Sequence, residues 1–183
     1  MKTSTESTNS KFNKLRAAVL GANDGIVSTA SVLMGVAGAG ADNTAIFTAG
    51  MAALVAGALS MAVGEYVSVG SQRDAEQSHV RIVHGGDAEG HEFINPLQAA
   101  IASLLAFTIG GLVPFLAVVV APSPAKVWTT VVAVVLALLL TGYFSAVVGK
   151  APKLRAMSRV IIGGLLAMAI TYFIGMAFGA IVA

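Results

Sequence analysis

The chain contains no cysteine. That excludes disulfides, thiolate metal sites and cysteine nucleophiles. Charge is scarce as well: Asp, Glu, Lys and Arg make up 11% of the residues, against roughly 25% in a soluble domain. No Walker motif or other nucleotide signature is present, so ATP is not the expected source of energy. No nucleophile–base set is visible, and an enzyme is not expected. Neither a cofactor nor a nucleic-acid partner is expected.

What the chain has in abundance is apolar sequence. Hydrophobic residues make up 56% of it, and the mean hydropathy is +0.83. The charges gather in polar stretches between runs that are almost free of them. This segregation indicates a multi-pass membrane protein with an all-α fold in a lipid bilayer. A span needs about 20 apolar residues, and five segments qualify: 15–38, 44–69, 97–120, 127–148 and 160–181. Helices are expected because backbone groups in lipid must be satisfied within the segment, and none of the runs alternates like a barrel strand. Residues 1–14 form a polar N-terminal segment with the wrong shape for a cleavable signal. Residues 15–183 form the membrane domain, with a polar loop at 70–96.

Orientation follows from the basic residues. Lys2, Lys11, Lys14 and Arg16 precede or open the first span, Arg73 and Arg81 follow the second, and Lys150, Lys153, Arg155 and Arg159 lie between the fourth and fifth. Only Lys126 lies on the other side. The positive-inside rule then predicts a cytoplasmic N-terminus, cytoplasmic 70–96 and 149–159 loops, and an outer C-terminus. Trp128 suits the outer interface. The expected membrane is a prokaryotic inner membrane, with a vacuole-type organelle membrane as the alternative.

Local signals agree with helices. Asn95 is placed to cap the third span, with Pro96 at its first position. Pro114 should kink that span and free a carbonyl. Small residues recur at four-residue spacing, as Gly21 and Gly25, Ser60 and Gly64, and Gly175 and Gly179, which lets helices approach closely.

Only two acids fall inside the spans, Asp24 and Glu65. An ionisable group at a helix centre costs about 2.5–3.5 kcal/mol on insertion scales. No basic residue is expected within the spans to offset either one, so both are candidate functional groups. At about 1.5 Å per residue, Asp24 lies roughly 12 Å in from Arg16. Met61, on the returning span, falls at the same depth. Glu65 sits one turn nearer the cytoplasm on the same face, because residues four apart stack. Two carboxylates bind divalent cations. A thioether adds nothing for magnesium or calcium but suits softer first-row metals such as ferrous iron.

If the second helix continues beyond the membrane, Met61, Glu65, Ser68, Gln72, Glu76 and His79 form one polar line. Metal would reach the site along it, with Glu76 and His79 at the cytoplasmic end. His79, His84 and His91 share the 70–96 stretch with Asp74, Glu76, Asp87, Glu89 and Glu92. That composition could collect metal, but "HGGDAEGHEF" has no regular ligand spacing and is better described as a polar loop.

These residues sit in recognisable motifs. "LRAAVLGANDGIVSTASVLMGVAGA" closely resembles the first helix of the vacuolar iron transporter family, and "AGALSMAVGEYVSVGSQRDAE" resembles its second. "NPLQAAIASLLAFTIGGLVPFLA" and "RVIIGGLLAMAITYFIGMAFG" are similar to its third and fifth. The resemblance implies a five-helix fold that forms a homodimer, with the metal path at the interface between the two first helices and their neighbours. It implies export of ferrous iron from the cytosol in exchange for protons, with manganese, cobalt and zinc as further candidate ions. Within the matching motifs, the family's metal-translocating residues fall on Asp24, Met61 and Glu65. Family members with a cytoplasmic metal-binding domain carry it between the second and third helices. This chain has no room for it there and resembles the shorter branch. A non-transporting membrane scaffold or metal sensor is the alternative.

Overall fold

In the computed structural model, residues 3–84 and 94–182 are described. Five helices long and apolar enough to cross a membrane account for nearly all of them. These are α1 (Thr3–Gly38), α2 (Asn43–His84), α3 (Pro96–Val120), α4 (Lys126–Val148) and α5 (Lys153–Val182), with a single 3₁₀ turn at Ser123–Ala125. The apolar spans Leu15–Gly38, Pro96–Val120 and Lys126–Val148 fall where hydropathy places them. The second differs. The polar loop expected from residue 70 is helical as far as His84, because "SQRDAEQSH" is polar yet contains no residue that breaks a helix.

The helix ends are set by local chemistry. Asn95 Oδ1 accepts the N–H groups of Leu97 (3.0 Å) and Gln98 (3.3 Å), which are two of the unpaired donors at the start of α3. Asp42 Oδ1 does the same for Ala45 N–H (2.8 Å) at the start of α2. Two helices end in the same Schellman hydrogen-bond pattern. After α1, Gly40 N–H donates to Ala37 O (3.1 Å) and Ala41 N–H to Val36 O (3.4 Å). After α4, Lys150 N–H donates to Val147 O (3.4 Å) and Ala151 N–H to Ala146 O (2.9 Å). The left-handed residue is Gly40 in the first case (φ 73°) and Lys150 in the second (φ 49°).

Helix α1 is the axis of the bundle. It packs on all four other helices, and α2, α3, α4 and α5 follow one another around it in chain order. The ring is open: α2 and α5 do not touch among the described residues. The core lies on the enclosed side. Ile26, Ala30 and Met34 of α1 meet Val134 and Leu138 of α4 and Met168 of α5. Leu33 meets Ile46 of α2 and Val118 of α3. The outer surface carries exposed Leu, Ile, Val and Phe along every span, as a lipid-facing surface must.

Lipid is as apolar as a leucine side chain, so helix association rests on close packing. Small residues supply it. A Cβ at Gly25 would run into the backbone of Phe107, and one at Gly110 into the backbone of Ala22, so α1 and α3 touch backbone to backbone. Gly175 seats α5 in the same way on Gly35 of α1, and Gly179 on Ala39 just after it. The third small pair behaves differently: a Cβ at Gly64 would meet nothing within 4 Å. Pro114 is buried within a continuous α3.

Candidate metal groove

The antiparallel pair α1 and α2 encloses a groove of about 410 Å³. Asp24, Ser28 and Val32 line it from α1, four residues apart and therefore on one helix face. Ala53, Gly57, Ser60, Met61, Gly64 and Glu65 line it from α2. Phe107 of α3 contributes the remaining wall. It is 2% exposed, with its backbone against Gly25 and its ring against Gly57, where any side chain would collide with it. These two glycine contacts thus help fix the spacing of α1, α2 and α3 around the groove.

All three residues singled out on the spans, Asp24, Met61 and Glu65, line this one groove. Asp24 and Met61 are half-buried, and Glu65 is 8% exposed. Ser28 Oγ donates to the backbone carbonyl of Asp24 (2.5 Å), which leaves the hydroxyl oxygen free to accept or to ligate. The donor set is thus two carboxylates, a thioether and the hydroxyls of Ser28 and Ser60. Oxygen donors with one soft sulfur suit a first-row divalent ion better than magnesium or calcium.

Glu65 is not without a basic partner, contrary to expectation. Arg16 Nη2 lies 3.8 Å from its Oε1. Arg16 opens the first span, and its long side chain reaches inward to the returning helix while remaining 60% exposed. Glu65 Oε1 is buried and accepts no hydrogen bond, so Arg16 is its only charged contact among the described residues. Asp24 has no such neighbour among the described residues.

Glu76 and His79 do not line the groove. They lie on the extension of α2, where Gln72 Nε2 donates to Glu76 Oε1 (3.2 Å) one turn away. Glu76 is half-buried and His79 exposed. The helical continuation needed for a polar line from Met61 to His79 is therefore present. Asp87, Glu89, His91 and Glu92 lie outside the described residues, as does the side chain of His84. Among the described residues, no three His, Asp or Glu side chains come together as a metal cluster. The groove has only two such ligands per chain and depends on its sulfur and hydroxyl donors. Sequence reasoning missed Ser28, Ser60 as a polar donor, and Phe107. Ser28 was within reach through its four-residue spacing from Asp24. Phe107 was not, because a buried phenylalanine carries no sign of which groove it closes.

A model described as the VIT family matches residues 15–85 and 78–176. Vacuolar iron transporter homolog 4 from Arabidopsis thaliana is 50% identical over 159 residues, covering 86% of this chain and 80% of that protein. Vacuolar iron transporter homolog 2 from the same plant is 47% identical over 172 residues, 91% of this chain and 87% of that protein. VIT-like transporter 1b from Glycine max is 45% identical over 167 residues, 86% and 73% of the two chains. Residues 85–95 alone separate α2 from α3, too few for a folded insert. The chain therefore belongs to the VIT family, whose members are transporters and not enzymes, in the short form that lacks a cytoplasmic metal-binding domain.

Proposed function

We propose that this protein is a secondary transporter that moves ferrous iron out of the cytosol in exchange for protons, through the groove between α1 and α2. Manganese, cobalt and zinc are further candidate substrates. The observation that carries the reading is that both intramembrane acids and Met61 line one groove. The relatives named for iron transport support the choice of cargo.

In this mechanism Asp24 and Glu65 bind the cation when ionised and a proton when neutral. Competition between the two couples their movements. Met61 adds the donor that favours iron over magnesium. Glu76 and His79 draw the ion along the α2 extension toward Glu65. The basic end of the bundle, with Arg16, Lys150 and Arg159, faces the cytosol under the positive-inside rule. The gap between α2 and α5 leaves one flank of the groove's helices uncovered, and Gly64 has open space beside it. A second copy seated there would form a homodimer and bring a second set of donors to the path. The relatives come from plants and are named for the vacuole. They lend no support to a prokaryotic inner membrane and favour a vacuole-type membrane.

The test is iron flux into proteoliposomes with an imposed pH gradient. Flux that rises when the lumen is acidic supports antiport. Flux indifferent to the gradient rules antiport out. No flux of any of the four metals would point instead to a scaffold or sensor.

A further inference from the structure

A second cavity, about 810 Å³, opens at the basic end of the bundle between α1, α4 and α5, away from the groove. Asn23, Thr141 and Ser145 put uncharged polar groups in its lining, beside two further parts. Val19 and Leu20 of α1 and Val160 of α5 form an apolar wall, while Arg16, Lys150 and Arg159 bring three cations to it. Among the described residues, no Asp or Glu lines it. The Arg16 guanidinium is turned toward Glu65 at 3.8 Å. Lys150 and Arg159 are both exposed, and neither is ion-paired with a described residue.

Lys150 holds an unusual backbone position. It occupies the left-handed residue of the Schellman motif that ends α4, at φ 49°, and is the only non-glycine residue with positive φ among those described. The equivalent position after α1 is Gly40. Side chains with a Cβ are disfavoured there, and glycine is the usual occupant. The 2.9 Å bond from Ala151 N–H to Ala146 O pins the turn, so Lys150 is held at the cavity by the fold. A strained residue of this kind is grounds for seeking a function for its side chain.

We propose that this cavity binds one anionic phospholipid from the adjoining leaflet. The headgroup phosphate sits between Lys150 and Arg159, and an acyl chain runs along the wall of Val19, Leu20 and Val160. Two cations with no described carboxylate partner, Lys150 and Arg159, favour an anion, and the Arg fork matches phosphate oxygens. A free phosphate would gain nothing from the apolar wall. A zwitterionic headgroup would bring its own cation against Lys150 and Arg159. Basic pockets between membrane helices suit anionic headgroups for these reasons.

The experiment uses delipidated full-length protein in detergent, titrated with phosphatidylglycerol or phosphatidylcholine and read by native mass spectrometry. Lys150→Gly together with Arg159→Gln removes both unpaired cations and leaves Arg16 on Glu65. Glycine suits the left-handed position, so the helical melt of the double variant should match the wild type. One phosphatidylglycerol per chain should be retained about tenfold more tightly than phosphatidylcholine, and the double variant should lose about that factor. Equal retention of the two lipids would overturn the proposal. So would undiminished phosphatidylglycerol binding in the double variant, or its displacement by millimolar inorganic phosphate.

Discussion

Glu65 and Asp24 line the same groove in different electrostatic settings. Glu65 is nearly buried beside Arg16, and among the described residues no cation pairs with Asp24. An ion pair with one partner 60% exposed is worth about 0–1 kcal/mol at most. Glu65→Gln should therefore leave the thermal midpoint almost unchanged while lowering metal affinity at least about tenfold, equal to about 1.4 kcal/mol. Calorimetric titration with manganese, run beside a melting curve, separates the two effects. Met61→Leu conserves volume and should cost little stability. It removes the sulfur alone, so it should weaken iron about tenfold more than magnesium in competition flux. An equal loss for both ions would reduce Met61 to packing. Depth counting along two antiparallel helices was enough to bring Asp24 and Met61 to one level, with Glu65 one turn toward the cytoplasm. The Arg16 contact was not legible, because position along the chain marks Arg16 as an interface anchor and says nothing of how far its side chain reaches across to α2.

At the scale of the helix, the groove depends on how closely α1, α2 and α3 approach. Gly25 faces the Phe107 backbone, which cannot swing aside as a side chain could. Gly25→Ala should cost about 1–3 kcal/mol and lower the melting temperature in detergent. Gly64→Ala, with nothing within 4 Å, should leave that melt unchanged. Spacing made both positions look alike in the sequence; only the direction each faces distinguishes a packed contact from an open one. The α2 extension was half legible. Hydropathy falls after Gly70, which looks like a loop, yet the residues that follow are ordinary helix formers and the helix runs on to His84. If Glu76 and His79 guide metal along that extension, changing both to Ala should raise the concentration for half-maximal uptake and leave the maximal rate alone. Unchanged uptake at limiting metal would show the extension to be a solvated helix end.

At the scale of the whole molecule, four helices surround α1 and leave a gap between α2 and α5. Five spans per chain cannot form the even inverted repeats common in transporters, so a dimer would supply the symmetry one chain lacks. Gly64→Leu should then weaken dimerisation, read by light scattering at falling protein concentration, without unfolding the chain. The five spans were legible because uninterrupted apolar length is a coarse property that each segment carries by itself. The arrangement around α1 was not, since all five helices are apolar and the sequence does not say which glycine meets which helix. The proposed path takes cations through the α1–α2 groove at Asp24. It is tested most directly by ferrous iron flux into acid-loaded proteoliposomes carrying wild-type protein or Asp24→Ala. The wild type should transport and the variant should fall to the level of protein-free liposomes, with its elution volume and melt unchanged. A folded Asp24→Ala protein that carried iron at the wild-type rate would contradict it.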